Sequence, residues 1–427
     1  MLGNCAIIFA DNNVKMNSSI PSLFLQVLFK PMIFWVTDAL GESLITDICV
    51  VSNSNSVALN ECIKEKREMV FNKKQQPFHC SFADTFDFLS SRKGQNVLVL
   101  SAPTPFIDRE TIESSLGTHI NSKNDVTIIK ETTDSINRKD IGLINKKAYW
   151  FNVYSLLHCF NKINEKTQIS DIIEVYSCSG KKVGFYTAKY KESLLSAENR
   201  KGLNRLNEIA RKRELEKHML SGVDMPCTDG IIISCGAKIG SDTTILPNTI
   251  IKDNVTIGSF CTIGPNAVIE NCKIEDNSTF SNTVARDSAI GSSVSVGPFA
   301  HIRPDSNIKD NVRIGNFVEI KNSFVDSNAK LSHFLYVGDC DVGKKVNFGC
   351  GSITVNYTGK YKYRTTINDG AFIGCNSNLI APVTVGKDAY IAAGSTITEK
   401  VPDKSLAIAR ERQTIKENWV TEKKPYK

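Results

Sequence analysis

The stretch "AKLSHFLYVGD", residues 329–339, carries two side chains that could take part in proton transfer. His333 and Tyr336 lie three residues apart within it. An imidazole titrates near neutral pH, so His333 could act as a general base that removes a proton from an attacking amine. A single histidine is more often structural than catalytic, and its neighbours in the fold must decide between these roles.

Cationic and amide side chains elsewhere in the second half could complete such a site. Arg303, Lys321 and Lys362 offer guanidinium and ammonium groups that bind phosphate oxygens. The amide N–H groups of Asn347 or Asn356 could stabilise the oxyanion that forms when a thioester is attacked. Together these residue types suit acyl transfer from a thioester to the amine of a phosphorylated acceptor.

A six-residue repeat must position these side chains. Aliphatic residues recur at every sixth position in two unbroken runs, and glycine often follows them. The positions are Ile233, Ile239, Ile245, Ile251, Ile257, Ile263 and Ile269, then Ile290, Val296, Ile302, Ile308, Ile314 and Ile320. This period differs from that of a helix or a half-exposed strand and is typical of a left-handed parallel β-helix with glycine or asparagine at its corners. A β-sandwich is the weaker alternative.

One segment interrupts the repeat. "TVNYTGKYKYRTTINDG", residues 354–370, has no aliphatic residue at the expected step and carries Lys360, Lys362 and Arg364 among three tyrosines. We predict that it projects from one corner as a functional loop, with a tolerated surface loop as the alternative.

The first half has a different pattern. Short apolar runs such as "CAIIFA" and "NVLVLSA" alternate with helical segments, which predicts an α/β domain. Leu203, Leu206, Ile209 and Leu215 have helical spacing and Gly222 is a stop signal, which predicts a helix over 195–222. We expect an α/β domain at 1–194, a helical linker arm at 195–227, a β-helix domain at 228–409 and a C-terminal tail at 410–427.

Composition excludes several classes of protein. The 427 residues are 41% hydrophobic with a net charge of +7, which permits anionic small ligands without demanding a nucleic-acid partner. Thirteen cysteines without a CxxC pair argue against a disulfide framework or a zinc site, so we assign no metal ligand. Lys30 and Pro31 break the longest apolar run, so we expect no membrane span. No secretory signal is evident, and a cytoplasmic protein is expected.

A family resemblance covers residues 297–420 closely and the first 228 residues loosely. The stretches that carry it are "GPFAHIRPDSNIKDNVRIGNFVEIK", "SHFLYVGD", "VNFGCGSITVNYTGKYKYRT" and "LIAPVTVGKDAYIAAGSTIT". They resemble the bifunctional N-acetylglucosamine-1-phosphate uridyltransferase/glucosamine-1-phosphate N-acetyltransferase family. The resemblance implies a nucleotidyltransferase-like, Rossmann-like α/β domain followed by a hexapeptide-repeat left-handed β-helix that forms a homotrimer, with active sites between subunits. It also implies acetyl-CoA-dependent N-acetylation of glucosamine 1-phosphate in UDP-N-acetylglucosamine biosynthesis.

The resemblance assigns roles residue by residue. It makes His333 the catalytic base and Glu319 a nearby acid that would favour the imidazolium. The implied substrate contacts are Arg303, Lys321, Tyr336, Asn347 and Lys362. The implied acetyl-CoA contacts are Asn356, Tyr357, Cys375, Ala393 and Arg410. Two positions depart from the family, because Cys375 stands where serine is usual and Cys350 where alanine is usual; a thiol is a poorer hydrogen-bond partner than a hydroxyl.

The first half departs from the uridyltransferase motifs of the resemblance. Where the family has a glycine-rich phosphate loop, this chain has "FADNNVKM" at 9–16, without a glycine. Where the family has a Pro-Lys motif, this chain has Pro21-Ser22, and the family's uridine-binding GTGHA corresponds to "HCSFA" at 79–83. The family's metal-binding aspartate corresponds to Pro103 in this chain, and its second metal ligand, an asparagine, corresponds to Glu198. Transfer of this kind depends on Mg²⁺ and cationic groups. We therefore expect an inactive uridyltransferase half that needs no Mg²⁺.

Alternative functions remain open at this point. The chain could keep UTP-dependent uridyl transfer, could acetylate a different amino sugar, or could be a non-catalytic hexapeptide scaffold. A β-helix carbonic anhydrase is disfavoured, because it needs three zinc histidines and the repeat offers only His301 and His333.

Overall fold

The computed structural model describes residues 3–9, 16–18, 20, 22–51, 69–70, 85–100, 103–131, 147–159 and 169–423. The chain forms two compact units, Met1–Ala210 and Arg211–Lys427. The boundary falls inside the helix Arg200–Leu220, which lies within the predicted range 195–222. The finer division into four parts stays a prediction.

The first unit is built on a mixed seven-stranded sheet. Its strands, in spatial order, are Met69–Val70, Ile45–Val51, Asn4–Phe9, Asn96–Leu100, Ala148–Asn152, Val126–Lys130 and Val183–Thr187. Ala148–Asn152 runs antiparallel to both neighbours, and the other pairs are parallel. Successive residues of the inner strands enter two apolar clusters, one on each face, because a largely parallel sheet is buried on both sides. The α/β prediction is confirmed.

Short helices flank this sheet. The described helices of the whole chain are Ser22–Phe24 (3₁₀), Met32–Gly41, Phe86–Ser90, Arg109–Asn121, Val153–Cys159, Ile169–Cys178, Arg200–Leu220 and Trp419–Lys423. Asp108 caps one of them, since its Oδ1 accepts from the Thr111 backbone N–H at 2.7 Å. A two-stranded ribbon pairs Gln26–Val27 with Lys30–Pro31. Within the described ranges, no helix has the length and apolar character needed to cross a membrane.

The second unit is a left-handed parallel β-helix. Its strands are Ile232–Ile233, Lys238–Ile239, Thr244–Ile245, Ile250–Ile251, Thr256–Ile257, Thr262–Ile263, Val268–Ile274, Thr279–Phe280, Val284–Ile290, Ser295–Val296, His301–Ile302, Ser306–Ile308, Arg313–Lys321, Phe324–Val325, Lys330–Gly338, Cys340–Val342, Asn347–Phe348, Ile353–Val355, Thr365–Ile367, Phe372–Ile373, Asn378–Ile380, Val383–Val385, Tyr390–Ile391, Thr396–Ile397 and Leu406–Ala407. Each strand pairs in parallel with the strand one coil away, as Ile232 does with Ile250. A regular coil of this kind therefore contains three hexapeptides.

The repeat positions form the core of this unit. Twelve of the thirteen aliphatic positions are buried, and Ile239 is partly buried against the same cluster. Residues at six-residue steps, such as Asp242, Asn248 and Asn254, have positive φ, which asparagine and aspartate tolerate better than most residues. The repeat prediction is confirmed for both core and corners.

The predicted interruption is an inserted loop. Successive coils around Glu319 are offset by 17 residues (Glu319 to Tyr336), whereas Phe348 pairs with Ile373, an offset of 25. The extra residues leave the wall near Asn356, and the backbone N–H of Tyr363 returns to the carbonyl of Asn356 at 2.9 Å. The loop prediction is confirmed in position.

Candidate active site on the β-helix

The candidate residues surround one corner of the β-helix. Phe299, Phe317 and Phe334 occupy this corner on successive coils, all with positive φ and more than half exposed. The rings of Phe299 and Phe317 stack at 5.6 Å between centroids. We call these three residues the phenylalanine corner. The preceding coils use Asn248, Asn266 and Asn282 at the same corner, so three adjacent aromatic side chains in left-handed backbone are a departure.

His333 lies directly before the phenylalanine corner and is exposed. Leu331 and Val337 on either side are fully buried, as the repeat predicts. The Nδ1 atom of His333 lies 3.0 Å from Oδ1 of Asn316 on the preceding coil. Since a carbonyl oxygen only accepts, Nδ1 carries the proton in this pair and Nε2 keeps a lone pair for an incoming proton.

Glu319 has a different partner from the one that the sequence suggested. Its Oε1 accepts from Nη1 of Arg303 at 2.7 Å, and both side chains are partly exposed. The reason is register, because Glu319 pairs with Tyr336 and His301 after the corner, whereas His333 pairs with Asn316 before it. The hydrogen bond that Arg303 donates to Glu319 raises the pKa of Arg303. Glu319 therefore fixes Arg303, and Asn316 orients His333.

Cationic groups lie close together after the corner. Lys321 follows Arg303 on the next coil, since the backbone N–H of Arg303 donates to Ile320. The pKa of Lys321 is lowered, first because Lys362 of the inserted loop lies beside it. Two ammonium groups at such short range repel each other, so an anion between them would be favoured. The structure brings together the three cations predicted from the sequence.

A buried carboxylate organises the amides beside these cations. Asp339 is 7% exposed, and its two carboxylate oxygens accept from Nδ2 of Asn322 and Nδ2 of Asn356. The Nδ2 atom of Asn356 also lies 3.5 Å from the Tyr336 hydroxyl. Since a carboxylate only accepts, both amides must turn their NH₂ groups toward Asp339. Asn356 is then left with its Oδ1 as the group available for a ligand.

The inserted loop is fixed at its base. Arg364 donates to both carboxylate oxygens of Asp341 and to the carbonyls of Asn322 and Cys340. Arg364 is therefore an anchor, whereas Lys362 and Tyr357 form a bridge in the exposed part of the loop. This arrangement holds Lys362 near Lys321.

The predicted acetyl-CoA contacts lie on the last coils. Cys375, Ala393 and Arg410 are exposed, and Cδ of Arg410 lies close above Gly394. Asn347 is half-buried and pairs with Lys330 and Phe372 on the neighbouring coils. Thus Asn347 lies before the corner, apart from Arg303 and Lys321.

A cavity of about 500 Å³ lies elsewhere on the β-helix, on coils that include Asn254, Cys272 and Asp305. None of the candidate residues lines it. The candidate side chains stand on an outward wall, whereas ligand sites are usually concave and enclose most of the ligand. A further wall is needed to enclose a substrate there.

Charged groups in the first unit face one another. Lys147 is 8% exposed, and its Nζ lies 3.9 Å from Oε1 of Glu131. Burial lowers the pKa of Lys147, and Glu131 and Glu198 oppose that change. Glu198, the position of a metal ligand in the resemblance, is thus close enough to Lys147 to favour its charged form, and the side chain of Pro103 offers no ligand atom. Residues 10–15, Pro21 and "HCSFA" lie outside the described residues.

Sequence reasoning missed Asn316 and Asp339. Asp339 occupies a corner position where asparagine or aspartate is routine in this fold, so its type alone carries no functional signal. Asn316 could have been found only by knowing which residue of the preceding coil pairs with His333.

Comparison with known proteins gives consistent matches. A family model described as bacterial transferase hexapeptide (six repeats) matches residues 230–265, 287–322 and 364–399. Bifunctional protein GlmU of Geobacillus sp. (strain WCH70) is 38% identical over 444 residues, covering 97% of this chain and 96% of that protein. Bifunctional protein GlmU of Acetivibrio thermocellus is 36% identical over 447 residues, covering 98% and 97%.

A solved structure of a putative glucose-1-phosphate thymidylyltransferase from Bacillus anthracis covers 48% of this chain and 95% of that one. It has 15% sequence identity to this chain and a TM-score of 0.40.

Proposed function

Since the chain belongs to the bifunctional GlmU family, we propose that its β-helix transfers the acetyl group of acetyl-CoA to the amine of glucosamine 1-phosphate. The product is N-acetylglucosamine 1-phosphate. One observation carries the proposal: His333, Arg303, Lys321, Tyr336, Asn356 and Lys362 lie on neighbouring coils around the phenylalanine corner.

His333 acts as the general base. A protonated amine has no lone pair, so Nε2 removes a proton as the amine attacks the thioester carbonyl. Coenzyme A leaves as the C–S bond breaks. Asn316 holds the ring through Nδ1, which keeps the basic lone pair on Nε2.

Arg303, Lys321 and Lys362 bind the phosphate of the acceptor. A phosphate between Lys321 and Lys362 relieves the repulsion that lowers the pKa of Lys321. Glu319 keeps Arg303 in place by the 2.7 Å hydrogen bond. Substrate binding then depends on all three cations.

Asn356 accepts a hydrogen bond from the attacking amine. Its NH₂ group faces Asp339 and Tyr336, so the oxyanion role considered for it from the sequence is left to Asn347 or to backbone N–H groups. Accepting from the amine directs the nitrogen lone pair toward the carbonyl carbon.

Acetyl-CoA lies along the final coils. Tyr357, Cys375, Ala393 and Arg410 are exposed there, and the guanidinium of Arg410 suits the cofactor's phosphates. Its thioester then lies beside His333.

A homotrimer encloses the site. The candidate side chains stand on an outward wall, so a second copy of the chain supplies the opposing wall. The phenylalanine corner is the apolar surface that such a copy covers, because it exposes three large aromatic side chains beside the site.

The first unit no longer transfers a uridyl group. The two positions that the resemblance assigns to the metal do not suit a Mg²⁺ ion, because the side chain of Pro103 has no ligand atom and the carboxylate of Glu198 lies close to the ammonium of Lys147. The fold persists without that chemistry.

Separate assays test both halves. Purified protein is given acetyl-CoA with glucosamine 1-phosphate, and in a second reaction UTP, Mg²⁺ and N-acetylglucosamine 1-phosphate. We expect release of the coenzyme A thiol in the first and no pyrophosphate in the second. Pyrophosphate release would establish the bifunctional alternative. No thiol release, together with no thermal stabilisation by millimolar coenzyme A, would establish the scaffold alternative.

A further inference from the structure

We propose that Cys350 and Cys375 form a paired-thiol modification site, which disulfide oxidants close into an intramolecular disulfide that lowers acetyl transfer. The effect on acetyl transfer rests on the proposed function, whereas the formation of the disulfide does not.

Register brings the two thiols together. Phe348 pairs with Ile373, and the backbone N–H of Gly349 donates to Ile373 at 2.7 Å. The N–H of Asn376 donates to the carbonyl of Cys350 at 2.8 Å, so Cys350 and Cys375 occupy equivalent positions on adjacent coils. Neighbouring strands lie about 4.8 Å apart, within the Cα separation of roughly 4.4–6.8 Å that a disulfide spans.

Both thiols are accessible, and most other described thiols are not. Cys350 and Cys375 are exposed, whereas Cys5, Cys49 and Cys272 are buried. Burial raises the pKa of Cys5 to about 12 and those of Cys49 and Cys272 to about 11. Since the thiolate is the reactive form, an oxidant reaches the exposed thiols before the buried ones. Cys178 and Cys227 are exposed as well, and what sets Cys350 and Cys375 apart is their place on adjacent coils.

The pair lies in line with the candidate site. Leu331 pairs with Phe348 and Tyr336 with Ile353, so His333 and Cys350 occupy equivalent positions on adjacent coils, and Cys375 is followed in the same way by Ala393. Both cysteines stand where the resemblance has smaller or hydroxyl side chains beside acetyl-CoA. A disulfide draws the two sulfur atoms together and removes the S–H of Cys375, so it changes the wall against which the cofactor lies.

Oxidised glutathione supplies a balanced route. The thiolate of Cys350 attacks one sulfur of oxidised glutathione, forming a mixed disulfide and releasing one glutathione. The thiolate of Cys375 then attacks the sulfur of Cys350, which closes the intramolecular disulfide and releases the second glutathione. Two protein thiols lose two electrons and two protons, and the oxidant becomes two glutathione molecules.

Peptide mapping of the full-length protein tests the pair. Reduced protein is treated with oxidised glutathione, and alkylated digests are analysed by mass spectrometry. We expect a linked peptide containing Cys350 and Cys375, lighter than the two thiols by two hydrogen atoms. Two separate glutathione adducts, or no reaction at either cysteine, would overturn the proposal.

Activity with matched variants tests the consequence. Oxidation should reduce acetyl transfer by about tenfold and dithiothreitol should restore it. Cys350→Ala removes one partner and should be resistant to oxidation, while Cys227→Ala, at another exposed cysteine, should remain sensitive. A mapped disulfide without loss of activity would overturn the regulatory effect.

The two proposals fail separately. Absence of acetyl transfer in the reduced protein would contradict the proposed function and leave the mapped disulfide intact. Acetyl transfer without a disulfide would contradict only this inference. Saturating acetyl-CoA should also slow disulfide formation, because it covers Cys375.

Discussion

The two units of the chain treat their charged side chains in opposite ways. In the first unit Lys147 is buried near Glu131 and Glu198, so its positive charge is balanced by carboxylates of the same unit. In the second unit Lys321 and Lys362 lie beside each other on the wall of the β-helix, and His333 is exposed. A buried charge that is paired within the protein needs no ligand, whereas two like charges side by side at a surface favour the binding of an oppositely charged ligand.

This contrast separates the residues that build a fold from the residues that build a site. Within its described residues, the first unit has a seven-stranded sheet with apolar clusters on both faces, and Pro103 and Glu198 stand at the two positions where the resemblance places metal ligands. Its core is set by apolar periodicity, and changes at the end of a strand leave that core unaltered.

Removal of the base should have the largest effect. His333→Ala should lower acetyl transfer by about 10²–10⁴-fold, because the amine then loses its proton acceptor. Coenzyme A thiol release with glucosamine 1-phosphate measures the loss. His158→Ala, at a histidine of the first unit, is the matched control and should retain activity. Full activity of His333→Ala would break the contrast between the units.

Acid should weaken the first unit through a buried histidine. Burial lowers the pKa of His119 from 6.5 to about 4, with Asp125 opposing the change. Between pH 6.5 and about 4, the folded unit therefore binds fewer protons at His119 than the unfolded chain does. The contribution of His119 to the free energy of unfolding is fully present above pH 6.5. It is lost as the pH falls toward 4, by up to about 3 kcal/mol.

Tryptophan fluorescence of the first unit, where Trp150 is fully buried, measures this pH dependence. His119→Gln keeps a group that can hydrogen-bond Thr127 but does not titrate, so its stability should vary less over the same range. An unchanged slope in that variant would assign the acid sensitivity to other groups.

Replacement at the phenylalanine corner should weaken self-association. Phe317→Asn introduces the residue that the same corner uses at 248, 266 and 282, so the fold should be retained. Loss of a buried aromatic contact should cost about 1.5–3 kcal/mol per interface. Analytical ultracentrifugation measures the fraction of protein in the oligomer, and the rate of acetyl transfer should fall as that fraction falls.

Phe260→Asn is the matched control for the corner. Phe260 also has positive φ and is exposed, but it lies at a different corner. Equal weakening by both variants would contradict a specific role of the phenylalanine corner.

Neutralisation of Asp339 should have the smallest effect. Asp339→Asn replaces one of the two acceptor oxygens by an NH₂ group, so the hydrogen bond from either Asn322 or Asn356 is lost. The resulting pair of buried NH₂ groups costs about 1–2 kcal/mol. We expect kcat to fall by about tenfold with little change in KM for the phosphate-bearing acceptor. Asn322→Ala leaves the bond to Asn356 in place and should change kcat less. Equal losses would indicate a purely structural role.

Much of the second unit followed from the sequence. The six-residue aliphatic period determined the core, and asparagine, aspartate or glycine at the intervening steps determined most corners. The position of the inserted loop followed from the missing aliphatic step. In the first unit the apolar runs indicated an α/β sheet, but their order and the antiparallel strand Ala148–Asn152 depended on long-range pairing.

The sequence determined which side chains the site contains, and the tertiary structure decided which of them meet. Coils are not equally long: Val268 pairs with Val284 after 16 residues, Ile232 with Ile250 after 18 and Phe348 with Ile373 after 25. Partners on adjacent coils therefore cannot be found by counting residues. That register placed Glu319 with Arg303, Asn316 with His333, and Cys350 beside Cys375. Hydrogen bonds in a parallel β-helix join residues one coil apart, so each pairing depends on the length of the coil between them.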